Sequence, residues 1–160
     1  MAHPLISIVL AGIASCIVLD LWQQFLKRTA GIATPNWAVV GRWFWRSWRL
    51  KTMYHPTIDE EPPESNEHLT GWLVHYAVSV GYAVVLYILM EVVPVFKPSL
   101  IDGLVFGALS VAVPWFYFMP CMGKGVMARH TPTPVKACCI ALANHVVYGV
   151  ALTFALGLGM

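Results

Sequence analysis

Charged residues are scarce in this chain: Asp, Glu, Lys and Arg together make up 11% of its 160 residues. Soluble domains usually carry roughly 25% charged and 45–50% apolar residues, whereas 58% of this chain is apolar. The net charge of +2 is small and no basic run is interleaved with stacking aromatics, so nucleic-acid binding is not expected. The composition excludes an ordinary soluble domain and predicts a protein whose partner is the lipid bilayer.

Cysteine is also scarce, and its spacing suggests no framework. The four cysteines form neither a CxxC pair nor an even pattern, so neither a disulfide scaffold nor a structural zinc site is predicted. They are Cys16, Cys121, Cys138 and Cys139. A Ser-His-Asp order, a nucleotide-binding glycine loop and an HExxH motif are missing as well, so enzymatic activity has no positive support. Acid–base chemistry on a lipid by Asp20 with a histidine stays an open alternative.

Long apolar stretches are abundant, and four of them reach the ~20 residues that a helix needs to cross a bilayer. They cover residues 5–26, 69–93, 100–119 and 135–158. The first contains a lipoprotein-like box ending at Cys16, but it has no basic start and stays apolar beyond that residue, so we interpret it as an uncleaved span. The predicted fold is all-α, an integral membrane four-helix bundle forming a single domain over residues 1–160.

Positive charge is distributed unevenly between the loops. Of the ten Lys and Arg residues, all but Lys97 lie at the loop between spans one and two or at the loop between spans three and four. Loops rich in Lys and Arg stay in the cytoplasm. We therefore expect a multi-pass protein with both termini on the outer side of the membrane.

The first loop contains a helical pattern of aromatic and basic residues over residues 36–50. Arg42, Arg46 and Arg49 share one helical face there. This pattern predicts an additional amphipathic helix at the membrane interface, with its rings among the headgroups and its arginines toward lipid phosphates. The alternative is a simple aromatic anchor belt. Residues 53–66 are acidic and proline-rich, which predicts an irregular, solvated segment.

Three ionisable residues, Asp20, His75 and His145, each lie inside a separate apolar stretch. A charge at the bilayer centre costs roughly 2.5–3.5 kcal/mol, so such residues usually face the protein interior and have a partner. Helical periodicity adds polar neighbours on the same faces. The predicted polar pocket, in the cytoplasmic half of the membrane, comprises Asp20, His75, Ser79, Tyr82, Asn144, His145 and Tyr148. For each residue alone, the alternative is a packing role, with Asp20 reaching toward Lys27 or Arg28.

Span three contains a proline and a pair of glycines. Pro114 has no N–H, so it frees the carbonyl oxygen four residues earlier to bond elsewhere. Gly103 and Gly107 are at GxxxG spacing, which lets two helices approach closely. We favour packing inside one bundle over a dimer face for this pair.

Two metal hypotheses are open. His75 and His145 are candidates for the paired axial ligands of a b-type haem. The sulfur-rich segment 119–125, with nearby Met127, His130, Cys138 and Cys139, would suit Cu(I), although its spacing matches no metal motif. In the same region, Lys124 and Arg129 beside two glycines form a second candidate site for a lipid phosphate.

Several ordered motifs extend along nearly the whole chain. They are Ser15–Trp22, Gly41-Arg42-Trp43, Tyr54-His55, Gly71-Trp72 with His75-Tyr76, Pro120 with Gly123 and Gly125, Thr131-Pro132 with Pro134, and His145. In these motifs the chain resembles a family of small bacterial inner-membrane proteins catalogued as a domain of unknown function, DUF2938. The resemblance implies a four-span bundle in the cytoplasmic membrane and implies no activity. Cys121, Cys138 and Cys139 are outside its pattern.

Three functions fit these observations. The first is a binding or transport-type module with a polar intramembrane pocket open to the cytoplasm; since four spans are few for alternating access, a transporter of this size is expected to form a homo-oligomer. The second is a haem- or metal-binding redox protein. The third is an accessory subunit of a larger membrane complex, with the GxxxG face and the Trp-rich helix as docking surfaces.

Overall fold

The structure is a computed structural model in which residues 4–159 are described. Within this range the chain forms helices and no β-strand, which confirms the all-α prediction. The α-helices are α1 (Pro4–Ala30), α2 (Trp37–Leu50), α3 (Glu67–Val92), α4 (Leu100–Ser110), α5 (Met119–Cys121) and α6 (Pro134–Gly159). A π-helical turn (Pro114–Phe118) lies between α4 and α5, and a 3-10 turn (Val126–Ala128) precedes α6.

Four helical segments are long and apolar enough to cross a membrane, which confirms the predicted number of spans. They are Pro4–Ala30, Glu67–Val92, Leu100–Cys121 and Pro134–Leu158. The largest difference from the expected bounds is at the end of α1, which continues past residue 26 to Ala30. Lys27 and Arg28 lie in its last turn, where cations stabilise the negative end of the helix dipole, so the first charges do not end the helix.

The third span is interrupted at its proline. Helix α4 ends at Ser110, four residues before Pro114, which cannot donate the α-helical hydrogen bond. The chain continues as the π-helical turn, and α5 completes the span. The backbone thus changes from α-helical to π-helical at Pro114, the residue that has no N–H to donate.

The described residues form two compact units. The first, called here the bundle unit, comprises residues up to Thr34, Tyr76–Ser110, and residues from Leu142 onward. Its core is made by apolar side chains of α1, α3, α4 and α6: Ile8, Ala11, Ala83, Leu86, Phe106, Tyr148, Leu152 and Leu156. Burial on this scale holds the four helices together by close packing.

Gly103 and Gly107 bring α4 close to α6 within the bundle unit. A Cβ atom on Gly103 would lie 2.8 Å from the Cα atom of Val150, and one on Gly107 would lie 2.7 Å from that of Val146. Both distances are shorter than any ordinary carbon–carbon contact. The GxxxG pair therefore packs inside the unit, as the sequence favoured.

The second unit, called here the α2 unit, comprises Pro35–His75 and Val111–Ala141. Its core is a small apolar cluster of Val39, Trp43, Ile58 and Met122. The indole Nε1 of Trp43 donates to the carbonyl oxygen of Met53 at 2.9 Å. The backbone N–H of His55 donates to the carbonyl oxygen of Cys121 at 2.7 Å.

The segment 53–66 is irregular, as predicted, but part of it is buried. Ile58 and His55 are both buried in the α2 unit. Ile58 lies between Thr57 and Asp59 in an acidic, proline-rich stretch, a composition that predicts exposure, so the sequence did not reveal this anchor.

Helix α2 packs against the start of α3 through two glycines. A Cβ atom on Gly41 would overlap the carbonyl oxygen of Glu67, and a Cβ atom on Gly71 would overlap that of Trp37. Only glycine permits this backbone approach. At its N-terminus, α2 is capped by Asn36, whose side chain accepts a hydrogen bond from the N–H of Ala38 at 3.1 Å.

Candidate functional site

Asp20 is hydrogen-bonded across two spanning helices of the bundle unit. The hydroxyl of Tyr76 on α3 donates to Oδ2 of Asp20 on α1, with the oxygens 3.0 Å apart. Both side chains are half-buried. The carboxylate thus has a fixed donor, while part of its surface is accessible from outside the bundle unit.

One turn further along α3, Ser79 and Tyr148 join three helices. The hydroxyl of Tyr148 donates to the carbonyl oxygen of Ser79 at 2.7 Å, and the Ser79 hydroxyl lies 2.8 Å from the carbonyl oxygen of Gly12. The two hydroxyl oxygens are 3.1 Å apart. Both residues are buried. These hydrogen bonds tie α1, α3 and α6 together and satisfy the buried hydroxyl groups of Ser79 and Tyr148.

His145 and Tyr82 meet at Ser110. The Ser110 hydroxyl lies 2.8 Å from Nδ1 of His145 and 2.9 Å from the carbonyl oxygen of Gly107. The Tyr82 hydroxyl donates to the Ser110 carbonyl oxygen at 3.2 Å, and the Tyr82 ring meets the His145 ring edge to face, with centroids 5.8 Å apart. The Ser110 hydroxyl therefore lies within hydrogen-bond distance of both Gly107 and His145 and links α4 to α6.

The side-chain amide oxygen of Asn144 is a buried polar atom. Its Oδ1 is buried and has no hydrogen-bond partner among residues 4–159. An unpaired buried acceptor costs about 1–3 kcal/mol. The sequence placed Asn144 in the pocket by its position beside His145, and the structure shows no contact that uses its amide oxygen.

His75 belongs to the α2 unit, where it packs among aromatic rings. Its imidazole stacks on the indole of Trp37 with centroids 3.9 Å apart and an interplanar angle of 24°. Trp72 meets the same imidazole edge to face at 5.7 Å. The other candidate haem ligand, His145, lies in the bundle unit, where its Nδ1 atom is hydrogen-bonded to Ser110.

Arg42 is buried inside the α2 unit. Its Nε and Nη2 atoms lie 2.8 and 3.0 Å from the two carboxylate oxygens of Glu67, which makes a bidentate pair. Its Nη1 atom donates to the carbonyl oxygens of Ile58 and Glu61 at 3.1 and 2.7 Å. Hydrogen bonding to Glu67 raises the pKa of Arg42 above its usual range. The guanidinium is therefore occupied by protein groups.

Arg46 and Arg49, on the same face of α2, also meet glutamates. The Nε atom of Arg46 lies 3.1 Å from a carboxylate oxygen of Glu61 and 3.1 Å from one of Glu64. Arg49 pairs with the other oxygen of Glu64. All three arginines that the sequence assigned to lipid phosphates thus have carboxylate partners within the protein.

The remaining candidate cations for a lipid phosphate are Lys124 and Arg129. Lys124 lies between two glycines in left-handed conformations, and Arg129 follows them in the chain. Gly123 has φ +77° and Gly125 has φ +72°. Nε of Arg129 donates to Nε2 of His130 at 3.2 Å, so Nδ1 of that histidine carries the proton and donates to the Gly123 carbonyl oxygen at 3.1 Å. A Cβ atom on Gly123 would also overlap the carbonyl oxygen of Pro56. Backbone conformation and close approach account for these glycines.

The family described as "Protein of unknown function (DUF2938)" matches residues 9–158. The chain belongs to the DUF2938 family. No match was found among curated proteins or among solved structures. The match covers nearly the whole chain, and it confirms the resemblance seen in the sequence motifs.

Sequence reasoning missed two sets of residues in this DUF2938 protein. Tyr76, the donor to Asp20, lies three residues before Ser79 and thus near the same helical face, a signal that was present. The second set comprises the acidic partners of the α2 arginines: Glu61, Glu64 and Glu67. The sequence shows both sets of charges but not their pairing, because Glu61 and Glu64 lie in an irregular segment without a helical period.

The polar groups of the bundle unit allow a limited set of reactions. Ser110 and His145 are hydrogen-bonded, but within the described chain no carboxylate contacts the imidazole, so the arrangement lacks the third group of a hydrolytic triad. Asp20 with the hydroxyl of Tyr76 can hold a proton or a small cation.

Proposed function

We propose that this membrane protein is a small module of the binding or transport type, in which Asp20 binds a proton or a small cation. The observation that carries the proposal is the hydrogen bond from Tyr76 to Oδ2 of Asp20, which joins two spanning helices. An ionisable residue inside a spanning helix is costly and usually functional. A carboxylate that served packing alone could be replaced by a neutral residue at no such cost.

The position of Asp20 supports access from one side. Asp20 lies seven residues before Lys27, so at 1.5 Å per residue its Cα atom is about 10 Å deeper than the first basic residue of the loop. With the basic loops in the cytoplasm and both termini in the periplasm, the carboxylate lies in the cytoplasmic half of a bacterial inner membrane. A periplasmically active reporter enzyme fused after the C-terminus tests this orientation, since it is active only if that end is outside.

Binding at Asp20 is testable by infrared difference spectroscopy of the purified protein in nanodiscs. A step from alkaline to acidic pH produces the carbonyl band of a newly protonated carboxyl group. We expect Asp20→Asn to remove one component of this band. Tyr76→Phe keeps the component but shifts its frequency, because the donor to the carboxylate is gone. Glu91→Gln, at an exposed carboxylate near the end of α3, is the matched control and leaves the Asp20 component unchanged.

Transport is tested separately in liposomes that contain a pH-sensitive dye and carry an imposed potassium potential. Proton flux that is present in the wild type and in Glu91→Gln, and lost in Asp20→Asn, supports a transport function. If the infrared component of Asp20 is present without flux, the protein binds but does not transport. An identical infrared titration of the wild type and Asp20→Asn contradicts the proposal.

An accessory role in a larger complex receives less support. The GxxxG face was one of the two surfaces expected to dock a partner, and Gly103 and Gly107 pack against α6 within the bundle unit. A homo-oligomer would have to form through other faces. Purification in mild detergent with mass measurement distinguishes a monomer from an assembly.

A further inference from the structure

A group of large apolar side chains is exposed on the outer side of α2 and the turn that follows it. These side chains, called here the aromatic patch, are Phe44, Trp48, Leu50, Met53 and Tyr54. Each is between 38% and 63% exposed. The opposite face of α2 is buried by Val39 and Trp43 in the core of the α2 unit. The helix therefore has one face in the protein and one apolar face uncovered.

The three arginines of α2 are already paired with carboxylates. Arg42, Arg46 and Arg49 interact with glutamates of the α2 unit. The cation that does accompany the patch is Lys51, whose Nζ atom lies 4.4 Å from the centre of the Trp48 ring. A surface built in this way is aromatic rather than cationic.

Chain connectivity keeps α2 close to the bilayer. Residues 31–36 join α2 to the end of α1, a spanning helix, and a six-residue linker reaches at most about 20 Å. The glycine contact between Gly41 and the start of α3 fixes α2 against a second spanning helix. The start of α2 therefore lies within about 20 Å of the end of one spanning helix and in contact with the start of another.

We infer that the aromatic patch inserts into the headgroup region of the bilayer that α1 and α3 span, through its rings and without dependence on lipid charge. Trp and Tyr prefer this region because their rings are apolar and their N–H and O–H groups reach water. The three arginines do not contribute, since they are bound to carboxylates. The inference is independent of the proposed function of Asp20.

Photo-crosslinking of the full chain tests the inference. Photoreactive benzoylphenylalanine replaces Trp48 in one variant and Tyr54 in a second, while the exposed Glu60 in the same unit is the matched control position. Each variant is placed in nanodiscs of phosphatidylcholine alone or with added phosphatidylglycerol, irradiated at low and high salt, and analysed by mass spectrometry. We expect several-fold more lipid adduct at positions 48 and 54 than at position 60, with equal yields in both lipids and at both salt concentrations.

Three results would overturn the inference. Adducts that form only with phosphatidylglycerol and disappear at high salt indicate electrostatic attachment, which salt screens. Covalent dimers at position 48 or 54 indicate that a second copy of the chain covers the patch. The absence of lipid adducts at both positions shows that the patch faces water.

Discussion

The hydroxyl of Tyr82 donates a hydrogen bond to the backbone carbonyl oxygen of Ser110, with the two oxygens 3.2 Å apart. In a continuous α-helix this carbonyl would accept from the N–H four residues later, but that residue is Pro114, which has none. Tyr82 of α3 therefore supplies the donor that the third span lacks. In a bilayer no water is present to bond an unpaired carbonyl, so a side-chain donor removes the energetic cost of leaving it unpaired.

Tyr82→Phe removes this donor and leaves the Ser110 carbonyl unpaired. We expect a loss of about 1 kcal/mol in the free energy of unfolding, the size typical of side-chain hydrogen bonds in membranes. Reversible unfolding in mixed micelles with increasing SDS measures the change.

Pro114→Ala is the partner substitution in a double-mutant cycle, because alanine restores a backbone donor four residues after Ser110. In the Pro114→Ala background, Tyr82→Phe is expected to cost much less than it does alone. Equal costs in both backgrounds would show that the proline does not determine the value of the Tyr82 hydrogen bond.

Arg42→Ala is expected to destabilise the protein by about 3–5 kcal/mol, since it leaves the carboxylate of Glu67 without its cation. Arg42→Lys keeps the charge but loses the bidentate geometry, so its effect is intermediate. Thermal denaturation in detergent, followed by size-exclusion chromatography, gives the order of stability.

Arg49→Ala is the control for Arg42, because it removes an arginine from the same helix at an exposed ion pair. Exposed pairs contribute below about 1 kcal/mol, so a small effect is expected. If Arg42→Ala and Arg49→Ala lowered the free energy of unfolding by similar amounts, the buried pair of Arg42 with Glu67 would contribute no more to stability than an exposed ion pair.

Gly71→Ala is expected to separate α2 from α3, because its Cβ atom would overlap the carbonyl oxygen of Trp37. Backbone atoms cannot move aside as a side chain does, so the cost is about 3 kcal/mol or more. Gly81→Ala on the same helix is the control, as nothing lies within 4 Å of its Cβ position. That change is expected to be neutral or stabilising by up to about 1 kcal/mol. Expression level and melting temperature distinguish the two variants.

Gly107→Leu distinguishes packing inside the protein from packing between copies. Because the added side chain would overlap the backbone of Val146 on α6, we expect unfolding or a large loss of stability. Ala108→Leu changes the neighbouring, exposed position on α4 and is expected to be tolerated. If Gly107→Leu instead gave a stable protein with a smaller oligomeric mass, the glycine would belong to an interface between copies.

Local patterns in the sequence predicted much of the fold. Hydropathy and length located the four spans, since both are properties of single segments. The missing N–H of Pro114 predicted a free carbonyl, and the structure shows its partner to be Tyr82. The close spacing of Gly103 and Gly107 predicted helix contact. In each case the sequence signal lies within a single segment, even where the contact that it predicts is made with another helix.

The pairings between distant segments were harder to predict. Arg42 and Glu67 are 25 residues apart, and a helix rich in Arg and Trp is equally typical of a lipid-binding surface and of a salt-bridged one. Trp37 stacks on His75 from another helix, a contact with no periodic signature. Tyr76 donates to Asp20 from another helix, and the sequence does not show this pairing. The pairing of polar groups from distant segments depends on how the helices pack. The spacing of residues along the sequence does not encode that packing.

The glycine contact between α2 and α3 has a mechanical consequence. Where Gly41 and Gly71 meet, there is no intervening side chain whose rotation could absorb a relative displacement of the two backbones. A shift or tilt of the first turns of α3 is therefore transmitted to α2 as it would be through a rigid lever. A spectroscopic label on α2 would therefore report on movements of α3.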